Sequence, residues 1–118
     1  MVLNYGMVGG GQGAFIGDVH RKAAAFDGKA RLVSGVFSRD HANTVKTGRA
    51  LGIDDARLDE TYEDMAQAES ERPDKLDFVA IVTPNHSHYP IARAFLDRGI
   101  NVICDKPLTC TVEDAADL

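Results

Sequence analysis

Apolar residues recur along this chain in short runs, separated by segments with helical spacing. Residues 3–8 form an apolar run that ends directly in glycines, as a buried strand entering a tight turn would. Residues 14–26 then set Phe15, Ile16, Val19, Ala23 and Phe26 at helical spacing, and Gly28 supplies a stop in the left-handed conformation. A second strand-sized run, "RLVSGVF" at 31–37, is bounded by polar residues and reads as buried on both faces. A helix opening at Asp40 or His41 and ending at Leu51 follows, closed by Gly52. Thr61, with Asp64 three residues on, is the expected N-cap of a third helix over 61–70, and residues 57–59 predict a short strand ahead of it. "ESERPDK" is charged and broken by Pro73, so it reads as an exposed connection. Next come a strand at 78–82, a helix over 87–98 stopped by Gly99, and a strand at 100–104. Thr111 caps a last helix with Val112, Ala115, Ala116 and Leu118 on one side.

Apolar strands alternating with helices of about three turns predict an α/β fold, a doubly wound parallel sheet of about five strands covered on both faces. The 118 residues suit one domain, 1–118, which at this size buries roughly 65% of its unfolded surface. The last helix has no stop signal, so the native protein is expected to continue beyond Leu118. A native mass equal to 118 residues would refute this.

Composition sharpens the picture by exclusion. At 44% hydrophobic and 26% charged, the chain resembles an ordinary soluble globular domain. A net charge of −5 without a basic block argues against a nucleic-acid partner. The apolar runs are strand-sized, too short for a membrane span, and the first residues lack the flanks of a secretory signal, so a cytoplasmic location is expected. Cys104 and Cys110 fit neither a disulfide framework nor a paired metal site.

The glycines after the first strand carry the first candidate chemistry. Gly9, Gly11 and Ala14 spell GxGxxA, with Gln12 and Gly13 completing the loop, between a strand and a helix. In a dinucleotide site the first glycine makes the turn, the second lets the backbone approach a pyrophosphate, and the third, small position lets helix and strand pack closely. The diphosphate then sits on free amides at the helix head. Gly9, Gly11 and Gly13 also spell GxGxG, as in S-adenosylmethionine methyltransferases. Those enzymes carry an acidic residue before the loop and a carboxylate after the second strand, where this chain has "YGMV" and "VFSRD". Ser38 and Arg39 at that second place favour NADP over NAD, because a hydroxyl and a guanidinium suit a 2′-phosphate that a carboxylate would repel. The alternative is that Asp40, one step later, takes the ribose.

A second constellation follows the strand at 78–82, where an open parallel sheet places its ligand crevice. Thr83, Pro84 and Asn85 form the expected turn, and His88 heads the next helix. His86 and His88 form an HxH pair, but Pro84 argues against a strand there and no further ligands complete a shell, so no metal is expected. After the last strand, "CDKPLT" places Lys106 at the same crevice beside Pro107, where an ammonium can polarise a substrate oxygen.

With "VGGGQGA", "VTPNHSHYPIA" and "CDKPLT" in this order, the chain resembles, over nearly its whole length, the N-terminal domain of the glucose-fructose oxidoreductase, inositol dehydrogenase and rhizopine catabolism (Gfo/Idh/MocA) family. The resemblance implies an NAD(P)-dependent oxidoreductase acting on a secondary alcohol or ketone of a sugar, cyclitol or related polyol. It implies that Gly9, Gly11, Gln12, Gly13 and Ala14 bind pyrophosphate and that Ser38 and Arg39 hold the adenosine ribose. Thr83, Pro84, Asn85 and His88 would lie beside the nicotinamide, with Lys106 and its neighbour Pro107 orienting cofactor and substrate. Asp105 stands where the family commonly has glutamate, one methylene shorter, at the position that bonds the nicotinamide ribose. The family's catalytic histidine and substrate pocket belong to a C-terminal domain on an open sheet, outside these 118 residues. Cofactor binding without turnover is therefore expected of this chain, and an uncovered fifth strand predicts a homo-oligomer. A non-catalytic NAD(P)-sensing module is the alternative. Short-chain dehydrogenases are excluded, because TGxxxGxG is missing and "YPIAR" offers arginine where YxxxK needs lysine.

Overall fold

The computed structural model describes all 118 residues. Four strands form one parallel sheet: β1 (Leu3–Gly9), β2 (Ala30–Val36), β3 (Phe78–Val82) and β4 (Asn101–Cys104), in the order β2-β1-β3-β4. Five helices connect and flank them: α1 (Phe15–Ala25), α2 (His41–Ala50), α3 (Tyr62–Glu71), α4 (His88–Leu96) and α5 (Val112–Asp117). The chain runs from β1 out to β2, then returns past β1 to place β3 on its other side. That reversal of direction leaves an open crevice at the carboxyl ends of β1 and β3.

The two faces of the sheet bury separate cores, as alternation along each strand requires. Val8, Val79 and Ile81 point to one side, against Met65 and Ala66 of α3 and Ile91 and Phe95 of α4. Tyr5, Met7, Ala80 and Val82 point to the other, where Ile16 and Ala24 of α1 pack. Both threonine caps form: Thr61 accepts from the amide of Asp64, and Thr111 from that of Asp114, each at 3.1 Å. Gly28, Gly52 and Gly99 take positive φ just past α1, α2 and α4.

The expected short strand at 57–59 is a correction. It survives only as an isolated parallel bridge between Leu58 and Gly35, so the sheet has four strands and not five. Asp54 caps a tight 3-10 turn over Asp55–Arg57, which curls the chain just before the bridge. Arg57 then turns inward, donating to Glu69 through Nε at 3.1 Å and to Asp74 at 3.2 Å. A side chain anchored this way holds the segment beside β2 at one point and leaves no length for a ladder. The helix expected from Ser87 starts one residue later, at His88, behind a 3-10 turn over Asn85–Ser87.

Candidate active site

The crevice is one cavity of about 590 Å³, within the range of small-molecule and cofactor sites. Four segments form most of its lining, with Asn43 of α2 and Ile91 of α4 beside them: Gly9 to Gln12 and Ala14 at the end of β1 and beyond, Ser38 and Arg39 after β2, Glu60 to Glu63 at the head of α3, and Thr83, Pro84, His86 and Ser87 after β3.

The glycine loop is held from two sides. Arg21 of α1 donates from Nη1 to the carbonyl of Gly10 at 2.8 Å, which commits that carbonyl and puts a positive charge beside the loop. From α2, Thr47 accepts the amide of Gln12 at 3.1 Å, while the amide of Gly11 donates to the carbonyl of Phe37 at 2.9 Å. The amide of Ala14 donates back to Gly11, also at 2.9 Å. Three loop amides are thus committed within the protein. Those of Gly10 and Gly13 have no internal acceptor, and the first-turn amides of α1 have none by the geometry of a helix. Gly13, at φ +92°, lies in open space with nothing within 4 Å of where a Cβ would stand. A side chain at Gly11 would come within 2.9 Å of both Asn43 and the Phe37 carbonyl.

The small residue expected to seat the helix on the strand is Gly17 and not Ala14. Ala14 is the exposed N-cap of α1, without a side-chain cap, whereas a methyl group at Gly17 would collide with the Cα of Gly10. Three extra residues between the loop and the packing contact displace the match from the motif's spacing.

The end of β2 is organised by Thr44, which accepts the amide of Ser38 at 3.1 Å and donates to its carbonyl at 3.0 Å. Asp40 caps α2 through the amide of Ala42 at 3.1 Å and does not line the cavity, whereas Arg39 is exposed and does. Glu60 and Glu63 form an acidic rim opposite; Tyr62 beside them has its phenol pKa raised, by burial first and then by Glu63.

The later motif residues are divided. Thr83 and Pro84 line the cavity, and Ser87 donates to Thr83 at 2.6 Å. Asn85 sits outside it, and His86 takes a lining place instead. His88 is fully buried, its ring nitrogens 2.7 and 2.9 Å from two backbone carbonyl oxygens. Asp105, Lys106 and Pro107 lie outside the cavity, with Lys106 exposed on a loop whose Lys106–Pro107 peptide is cis. Asp105 approaches His20 of α1 at 3.8 Å. Neither His86 nor His88 has the companions a metal needs, since no group of three or more His, Cys, Asp or Glu converges anywhere in the chain.

Arg21, Gly17, Asn43, Thr44 and Thr47 escaped the motif reading. A signal existed: Gly17 and Arg21 are four residues apart on α1, and Thr44, Thr47 and Gly48 make a small-residue face on α2.

Residues 3–118 match a family described as an oxidoreductase family with an NAD-binding Rossmann fold. The uncharacterized oxidoreductase YfiI of Bacillus subtilis (strain 168) is 38% identical over 117 residues, 98% of this chain and 30% of that protein. A D-xylose 1-dehydrogenase (NADP(+)) of Haloferax volcanii is 37% identical over 81 residues, 69% of this chain and 23% of its own length. The crystal structure of an inositol dehydrogenase homolog from Azotobacter vinelandii, complexed with NAD+, superposes with a TM-score of 0.96 at 38% identity, covering 99% of this chain and 30% of that one. This chain therefore spans about a third or less of these relatives.

Proposed function

This chain belongs to the Gfo/Idh/MocA oxidoreductase family, as its NAD-binding Rossmann domain, and from that premise we propose that the whole protein transfers a hydride between NADP and a secondary alcohol or ketone of a sugar or cyclitol. The observation that carries the proposal is the single crevice in which the glycine loop, the Ser38–Arg39 end of β2 and the Thr83–Pro84 turn all meet.

The residues fit a dinucleotide. A diphosphate rests on the amides of Gly13 and the first turn of α1, with Gly9 and Gly11 bare so that the backbone is not shielded and Arg21 charged beside the loop. Gln12 and Ala14 shape the loop without donating, since their amides are already satisfied. Ser38 and Arg39 receive the 2′-phosphate of NADP: Arg39 is free and exposed, while Asp40, the next residue along the chain, is occupied as a helix cap. Relatives of both cofactor types match the chain, so this preference rests on these side chains alone.

The nicotinamide supplies hydride chemistry when bound. Thr83 and Pro84, which line the crevice, support its ribose, while Asn85 and Asp105, which do not line it, are assigned to that ribose by the family resemblance. Lys106, next to Pro107, meets the substrate oxygen and stabilises the charge that develops there. A proton acceptor and a water-excluding pocket are not among these residues, so this chain binds cofactor without turning over. Its exposed sheet edge at β4 pairs with a second copy.

Fluorescence titration with NADPH and NADH tests the reading. NADPH should bind saturably and more tightly than NADH. Failure to bind either ligand overturns it, and NADH binding more tightly overturns the NADP assignment. Steady oxidation of any polyol by the 118 residues would overturn the claim that they do not turn over, and absence of polyol oxidation in a longer native protein would favour a sensing role.

A further inference from the structure

His88 heads α4 with none of its surface exposed. Its Nδ1 lies 2.7 Å from the carbonyl oxygen of Pro107, and its Nε2 lies 2.9 Å from that of Thr83. These carbonyls belong to the loops that leave β3 and β4, neighbouring strands of the sheet. The ladder between those strands closes with the amide of Asp105 donating to Ile81 at 3.0 Å. Beyond that bond, the imidazole is the only hydrogen-bonded tie between the two loops.

We infer that His88 is a positioning residue: it clamps the Thr83–Pro84 turn to the loop that carries Lys106 and so sets where the ammonium stands relative to the crevice. The consequence for binding rests on the dinucleotide reading above; the clamp itself does not.

The hydrogen-bond inventory adds a condition. A carbonyl only accepts, and a neutral imidazole has one N–H and one lone pair. Both contacts are bonds only when both ring nitrogens carry hydrogen. With a single N–H, a nitrogen lone pair would face a carbonyl lone pair at one of these two distances, and one loop would be pushed off. Burial and the positive end of the α4 dipole both oppose a cation here. A ring with both nitrogens protonated is held only where the two charge-assisted bonds, each stronger than a neutral one, offset that cost.

Two measurements test this on the 118-residue chain. Nitrogen–proton correlation spectra of the buried imidazole should show two ring N–H groups; a nitrogen without a proton would overturn the double clamp. His88→Asn, whose one NH2 group can reach only one of the two carbonyls, should weaken NADPH binding about tenfold, the worth of one such bond. Adenosine 2′,5′-bisphosphate, which lacks both the nicotinamide and its ribose, should bind as before. Parallel loss of both ligands would mark His88 as merely structural, and loss of neither would also overturn the positioning role. Should the unmodified chain bind neither ligand, the dinucleotide reading fails and the imidazole spectrum alone decides on the clamp. The spectrum decides in the same way if His88→Asn does not fold.

Discussion

Gly17 is four positions past the last loop glycine, yet it sets how close helix and loop can come. Gly17→Ala should separate α1 from Gly10, destabilise the domain by about 1–3 kcal/mol as an overpacked contact does, and weaken NADPH in the same step. Chemical denaturation and titration of the same sample would read both. Arg39→Ala tests a different quantity: NADPH affinity should fall by about tenfold or more, the worth of a hydrogen bond to a charged group, while NADH affinity hardly changes. If both cofactors weaken equally, Arg39 holds no 2′-phosphate. At this scale the sequence was a partial guide. Gly9, Gly11, Ser38, Arg39, Thr83 and Pro84 reach the crevice because loops after adjacent parallel strands must converge there. Gly17 and Thr47 did not stand out because their partners, Gly10 and the amide of Gln12, lie far along the chain or across a turn of unknown length.

Among the elements, the four strands and the helices between them were legible because each apolar run is too short for a buried helix and each helix carries its own cap or stop. The bridge at Leu58 was not, since three residues cannot show whether a buried arginine will halt a ladder. β4 has a partner on one side only, and Ile103 on it is half exposed. An open strand edge with an apolar residue invites pairing. Sedimentation should show concentration-dependent dimers, and Ile103→Lys should shift them toward monomer; a monomer at all concentrations would count against an exposed pairing edge.

For the whole molecule, buried and exposed charges act in opposite directions. Burial alone would lower Arg57, but Glu69 and Asp74 outweigh it and raise the arginine, so the guanidinium stays charged in the core. Removing Glu69 leaves the buried guanidinium only the exposed Asp74 as partner and should cost up to about 3–5 kcal/mol in a denaturant melt. Lys22 holds Asp18 below the ordinary carboxylate value of 3.8, Arg49 does so for Asp55, and Arg72 for Asp74. Because the folded state binds these protons less readily, their contribution is present above 3.8 and is lost as the pH falls through and below it. Asp59 is raised, by burial first and then by Glu69 and Asp64, so its strain at neutral pH is relieved on the way down. Thermal melts should therefore pass a shallow maximum above pH 3.8 and then fall, and Asp59→Asn should flatten the maximum. No helix is long and apolar enough to cross a membrane.

The contact between Gly17 and Gly10 has a mechanical corollary. With no side chain between them to absorb movement, any shift of the phosphate-facing bend is passed straight to α1, an 11-residue rod about 16 Å long. Phe26, 93% exposed just past its far end, stands at the tip of that lever. A dye attached there would report nucleotide arrival from a distance, without touching the pocket it senses.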